Sequence, residues 1–353
     1  MARRKNRTPR PQPLAQRNGI DPVRLKLPQT YPADFPQDTA PTIASYLIHR
    51  FYQEHPERLL TRIADGEILL ETGEPITNTT PFTGETVLWY FRELEPEPPV
   101  PTDLPVIFED EWILAVDKPH FLATTPRGMY VANTALTLLR VSQNNPQLVP
   151  AHRLDRPTAG VLIFTKTPEA RAPFQQLFQR REVQKTYRAI APIVPGMRKS
   201  ERRNITSHIH KERGTLQVIQ RSAAECAAHG IEPNARTELE LDTIFTAPAH
   251  TPTQSHLNPR LRYPAPQQPL GLYNLYPHTG KTHQLRAHMN MLGAPIFGDT
   301  MYPTLINTSP DETSLPLQLL AHQIMFTHPL TSENIKIIST RTLFLTPPTL
   351  PLP

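Results

Sequence analysis

The sequence is poor in the features that announce several large classes of protein. One cysteine, Cys226, occurs in 353 residues, which excludes an internal disulfide framework and a zinc site built from thiolates. Cys226 sits in SAAECAAHG with no obvious activating partner and reads as a bland buried or loop thiol. No run of about 18 apolar residues suggests a membrane span, and the mean hydropathy is −0.43. The basic N-terminus lacks the apolar region of a secretion signal, so a cytoplasmic location is expected. No internal repeat is visible. Gly280-Lys281-Thr282 invites comparison with a phosphate-cradling loop, but the glycine that loop requires five positions earlier is Leu275, and Pro277 lacks an N–H. A metal site is not expected either: His278, His283 and His288 are five apart, whereas two ligands on one helical face want a spacing of four.

What is present is positive charge and proline. A net charge of +5 with a pI near 9.3 favours a polyanionic partner. The 42 prolines cluster, marking tails and loops. MARRKNRTPRPQPLAQR combines arginines and prolines with almost no large apolar residue, and residues 1–40 are expected to be a disordered basic arm. Residues 41–93 change character. TIASYLIHRFYQ and PERLLTRIADGEILL read as two short helices, followed by β-like runs in ILLETGEPI and GETVLWYFRE. This small α/β module resembles the S4-type RNA-binding module. LEPEPPVPTDLP then reads as a linker over residues 94–104.

Beyond it, residues 105–347 read as a second domain. VIFEDEWILAVDKP offers two strands, GVLIFTKT and KTYRAIAPI one each, and EARAPFQQLFQRREV a helix. ARTELELDTIF and LGLYNLYP are strands separated by a proline-rich insertion, residues 248–269. THQLRAHMNMLG is a helix stopped by Gly293, and LLAHQIMFTHPL and IKIISTRTLFL supply the last strands. Strands lie in runs and outnumber helices, so the class is α+β with a large mixed or antiparallel sheet and flanking helices.

AHRLDRPTAGVLIF places Asp155 between Arg153 and Arg156 at the entrance of a buried strand. Flanking cations favour an ionised carboxylate, suited to a nucleophile or electrostatic partner; the bland alternative is an ion pair in a turn. Four further segments accompany it in order: VDKPHFLATTP, QKTYRAI, PHTGKTHQLRAHMNMLGAPIFGD and LLAHQIMFTHP. Together with HRLDRPTAG they resemble the motifs of the RluA-type family of RNA pseudouridine synthases, over about residues 105 to 345.

The resemblance implies the pseudouridine synthase fold, with Asp155 as catalytic aspartate, Tyr187 as active-site tyrosine and candidate base or relay, and Arg286 as partner of the aspartate. It also implies that Arg153 enters the RNA stack where the target base has left, with Lys185 and Lys281 as further RNA contacts. Two positions depart from the pattern: Ala159 stands where serine is usual, and Lys281 where arginine is usual. Breaking the N1–C1′ bond, turning the base and joining C5 to C1′ is an isomerisation, so the implied reaction requires no cofactor, metal or nucleotide. The implied partner is RNA, with ribosomal RNA favoured over transfer RNA, no membrane, and a monomer by default. The competing reading is a noncatalytic RNA-binding or ribosome-assembly protein on the same fold.

Overall fold

The computed structural model describes residues 12–36, 41–247, 261–265, 267–309 and 312–347. The chain divides into two compact units, Met1–Glu95 and Pro96–Pro353. In the first, β1 (Val23–Lys26), α1 (Ile43–Phe51), α2 (Pro56–Ala64), β2 (Leu69–Leu70) and β3 (Val87–Tyr90) follow in order, and the sheet runs β1-β3-β2. Helix α1 starts where Thr42 and Ser45 cap each other reciprocally, each side chain accepting the other's backbone N–H. Pro56 opens α2, where its missing N–H costs no hydrogen bond. Both helices bury one face, Ile43 and Leu47 from α1 with Leu59 and Ile63 from α2, against Leu88 of β3.

Within the arm expected over residues 1–40, Val23–Lys26 form a strand. It pairs antiparallel with Val87–Tyr90. Leu25 and Leu27 pack into the apolar core of this unit. Residues 1–11 lie outside the described residues.

The second unit contains β4 (Val106–Glu109), β5 (Ile113–Lys118), α3 (Ala135–Ser142), β6 (Val149–Pro150), β7 (Ala159–Thr165), α4 (Pro168–Gln179) and β8 (Gln184–Pro192). It continues through β9 (Arg202–His210), β10 (Ile219–Ser222), α5 (Ala223–Ala228), β11 (Ala235–Thr246), β12 (Pro269–Pro277), α6 (Gln284–Met291), β13 (Leu319–Thr327) and β14 (Asn334–Ile338). Among the described residues these form an eleven-stranded sheet in the order β10-β9-β11-β12-β8-β13-β7-β5-β4, with β14 on β13 and β6 on β7. It is mixed because β13 runs parallel to β7 while the other described pairs are antiparallel. Strands β5 and β7 are buried at every position, as suits central strands with apolar runs, although β5 ends in the buried pair Asp117-Lys118.

Several boundaries differ from the sequence reading for identifiable reasons. The reading has no counterpart to β9, whose inward Ile205, Ser207 and Ile209 alternate with polar residues too short and too wet to stand out. The strand expected through IKIISTRTLFL stops at Ile338. There the buried Asp117 carboxylate takes hydrogen bonds from Ser339 Oγ (2.7 Å) and the Thr340 N–H (2.7 Å), turning the chain away from the sheet. The proline-rich stretch after residue 94 is anchored to its own unit: the Glu97 carboxylate accepts the N–H groups of Val131, Ala132 and Asn133 ahead of α3. Residues 248–260 and 266 of the proline-rich insertion lie outside the described residues. The insertion joins two antiparallel partners, since Thr246 pairs with Pro269.

One glycine sets how closely the central strands approach. Gly160 has φ +109°, and a Cβ there would lie 2.2 Å from the carbonyl oxygen of Ala321 on β13. Neither the backbone nor its partner can yield without moving a central strand. Gly160→Ala is expected to destabilise the protein by on the order of 3–5 kcal/mol, read as a fall in the urea midpoint; an unchanged midpoint would show that the parallel contact is looser than described.

Candidate active site

Asp155 sits in the turn between β6 and β7, and the preceding VDKPHFLATTP segment pins that turn on either side of it. Lys118, fully buried, donates from Nζ to the carbonyls of Leu122 (2.7 Å), Pro119 (2.9 Å) and Arg156 (3.3 Å). His120 Nδ1–H donates to the Pro157 carbonyl at 2.6 Å. Thr124 Oγ1 both donates to the Leu154 carbonyl (2.8 Å) and accepts the Leu154 N–H (3.1 Å). The peptides before and after Asp155 are therefore fixed by side chains that the sequence reading gave no role. The signal that could have found them is the lysine, histidine and threonine spaced through one short loop. Burial lowers the Lys118 ammonium to about 7, offset in part by the nearby Asp155 carboxylate.

Ala159, where serine was the usual residue, is fully buried against Ile190, Phe297 and Leu320. A hydroxyl there would enter an apolar cluster, which accounts for the alanine.

Arg286 projects from α6 and is 2% exposed. Its Nε and Nη2 grip Asp299 at 2.7 and 2.6 Å, a bidentate pair, and Nη1 points at Asp155 Oδ2 from 3.6 Å with no hydrogen-bond partner of its own. Asp299 in turn accepts the N–H groups of Met301 (2.8 Å) and Tyr302 (3.1 Å). A bidentate carboxylate fixes both the position and the plane of the guanidinium. Asp299 is the aspartate of the PIFGD segment, and only the fold shows that it faces Arg286.

The Gly280-Lys281-Thr282 tripeptide is a turn that launches α6. Gln284 Oε1 accepts from the Lys281 N–H (3.1 Å) and Thr279 Oγ1 (2.6 Å), while its Nε2 donates to the Arg236 carbonyl and Thr237 Oγ1, both at 2.9 Å. The amide that a phosphate ring would need is thus engaged within the protein. The helix begins at Gln284, because His283 adopts a left-handed φ of 54°. His288 is buried with Nε2 against Ser207 Oγ and Nδ1 against Thr237 Oγ1, each at 2.8 Å, which docks α6 on β9 and β11.

All the sequence-predicted site residues line one cavity of about 1220 Å³: Asp155, Tyr187 and Arg286 with Arg153, Lys185 and Lys281. Arg127, Arg181, Arg202 and Lys211 join them, against Asp155 and Glu238 as the acidic lining residues. The walls are strongly cationic. Arg153 and Lys281 are exposed at the rim, whereas Lys185 is half-buried and its ammonium is lowered by desolvation.

Tyr187, expected as a base or relay, lies on β8, where burial and then the Asp155 anion push its phenol up. The hydroxyl keeps its proton, opposite to what a resting base needs. No helix among the described residues is long and apolar enough to cross a membrane. No group of three or more His, Cys, Asp or Glu able to hold a metal ion occurs among them.

Two tests follow from these contacts. Asp299→Ala leaves a buried guanidinium uncompensated and is expected to cost about 3–5 kcal/mol of stability, measured by chemical denaturation; a loss below 1 kcal/mol would mean that water reaches Arg286. Burial also lowers His152 to about 3 and His120, His288 and His322 to about 4, from the usual 6.5. Below pH 6.5 the unfolded chain therefore binds more protons than the folded one. Stability should fall as pH drops from 6.5 towards 4, and a urea midpoint constant across that window would contradict the burial of these rings.

Residues 112–291 match the model of the RNA pseudouridylate synthase family. A tRNA pseudouridine synthase C of Pasteurella multocida is 32% identical over 238 residues, covering 66% of this chain and 90% of that one. An uncharacterised RNA pseudouridine synthase of Synechocystis is 28% identical over 299 residues, 81% of this chain and 91% of its own. A dual-specificity RNA pseudouridine synthase RluA of Vibrio vulnificus is 27% identical over 243 residues, 67% and 82%. With the family's match spanning half of its length and the site residues gathered in one cavity, this chain belongs to the RluA-type family of RNA pseudouridine synthases.

Proposed function

We propose that this RNA pseudouridine synthase isomerises uridine in a structured RNA without a cofactor, with Asp155 as the catalytic carboxylate. The observation that carries the reading is Asp155, lining a cationic cavity and facing a guanidinium whose Nε and Nη2 are held by Asp299. A cavity of about 1220 Å³ exceeds the usual small-molecule pocket and suits an extruded nucleotide with its flanking phosphates. Extrusion costs a few kcal/mol of stacking, and exposed Arg153 at the rim is placed to fill the vacancy and offset part of that.

With the base inside, Asp155 either attacks C1′ or takes the 2′ proton; on either route Arg286 Nη1, 3.6 Å away, faces the carboxylate and helps to aim it. Tyr187 serves as a neutral hydroxyl beside the base and ribose, not as a resting base. The N-terminal unit is proposed as an accessory RNA contact. The expected ribosomal-RNA preference draws on the S4-type resemblance of residues 41–93, while relatives named for tRNA pull the other way. The proposal therefore covers both classes, and one assay separates them.

The test uses bulk unmodified ribosomal and transfer RNA carrying tritium at uridine C5, and measures tritium released to water. Wild type is expected to release it from one class or both, and Asp155→Asn from neither while still binding RNA. Binding lost along with activity would assign Asp155 a structural role. Wild-type protein that binds both RNAs and releases nothing would point to a noncatalytic RNA-binding protein.

A further inference from the structure

His283 is the second side chain that faces Asp155. Its Nε2 lies 3.8 Å from Asp155 Oδ2, the same oxygen that Arg286 Nη1 faces from 3.6 Å. Its Nδ1 lies 3.2 Å from the Tyr302 hydroxyl, and the two rings meet edge to face at 83°. The hydroxyl already accepts the Val218 N–H at 3.0 Å, so its own proton needs an acceptor. Of these two contacts only His283 Nδ1 can take it, since a backbone N–H accepts nothing. A neutral imidazole that accepts at Nδ1 carries its proton at Nε2, the nitrogen turned towards Asp155.

Burial, with Arg286 beside it, lowers the ring to about 4, against the opposing pull of Asp155 and Asp299, so it is neutral at pH 7. Burial likewise raises the Tyr302 phenol, which keeps its proton. Tyr302 is held firmly in this orientation, being 5% exposed, with its N–H donating to Asp299 and its ring against the Arg286 guanidinium at 5.5 Å.

We propose that His283 is a positioning residue for Asp155: a neutral imidazole in the Nε2–H tautomer, selected by Tyr302, that holds one carboxylate oxygen together with Arg286. The other oxygen is left to meet the ribose. The 3.8 Å separation is longer than a hydrogen bond, and the proposal expects it to be shorter in the complex with RNA. A neutral donor orients the carboxylate without the repulsion that a second cation would meet beside Arg286. The inference rests on the pseudouridine synthase reading of the cavity.

The test combines ring-15N histidine spectra of the full chain with kinetics on the RNA class found active. The His283 signals, identified by their loss in His283→Asn, are expected to report the Nε2–H tautomer at neutral pH, and Tyr302→Phe to abolish that preference. Asparagine tolerates the left-handed backbone at this position, so the turn survives. Losing one hydrogen bond to a charged group predicts a kcat lowered roughly 10- to 100-fold in His283→Asn and about tenfold in Tyr302→Phe, with KM for RNA unchanged in both. A merely structural role would move neither the tautomer nor kcat alone. An Nδ1–H tautomer or an imidazolium in the wild type, wild-type kcat in both variants, or an effect confined to KM would overturn the proposal. Failure of the underlying reading looks different: wild-type protein that releases no tritium, whatever the spectrum, which removes the proposal with it.

Discussion

The buried ion pair between Arg286 and Asp299 is the contact on which the site depends. Moving a guanidinium out of water costs several kcal/mol, and a single distant carboxylate would not offset it. Asp299 does so with two short hydrogen bonds, and the N–H groups of Met301 and Tyr302 complete that carboxylate's own requirements. Two of the arginine's nitrogens are thereby spent on structure. The third is aimed at Asp155 without the freedom to swing elsewhere. Preorganisation of this kind is worth most where water is excluded, because no dipole has to reorient as charge moves.

The second requirement is that Asp155 itself be held still, and here the middle of the sheet supplies the rigidity. The turn that carries it leads into β7 at Ala159 and Gly160, where β13 approaches in parallel and where any side chain at Gly160 would strike the Ala321 carbonyl. Strand β8, on the other side of β13, places Tyr187 in the same cavity. Lys118, His120 and Thr124 then fasten the turn's own peptides from the opposite flank. A lysine fully removed from solvent and coordinated by three carbonyls is an expensive device. Its proximity to the Asp155 anion offsets part of that cost and links loop geometry to the charge state of the site.

Charge is divided by depth within the cavity. Cations at the rim, Arg153 and Lys281 among them, meet solvent and suit phosphates, whose attraction is long-ranged and screened by salt. Two histidines are kept neutral by burial: His152, which lines the cavity and stacks on Phe178, and His288, which bridges α6 to the sheet outside the cavity lining. Keeping those rings uncharged leaves Arg286 as the buried cation that faces the carboxylate most directly, so the Asp155 anion is addressed from one side.

Resemblance of the chain's ordered motifs to the RluA-type family implied Asp155, Tyr187 and Arg286 as one set; what the sequence by itself determined was those motifs, the cationic balance and the apolar runs of the central strands. These are local signals, carried by residue type, spacing and hydrophobic period, and they survive without knowing what lies across the fold. It did not determine that Val23–Lys26 joins a sheet, that β9 exists, or that the last strand ends at Ile338, because each is fixed by a distant partner: β3, β11 and Asp117. The resemblance implied Tyr187 as a base or relay; what the tertiary structure adds is that burial and a neighbouring anion, neither visible in QKTYRAI, raise its phenol. Asp299, Gln284 and Tyr302 acquire their roles the same way. A hydrogen-bond partner is a fact of three-dimensional proximity, and only folding brings these side chains within 3.2 Å of the atoms they hold.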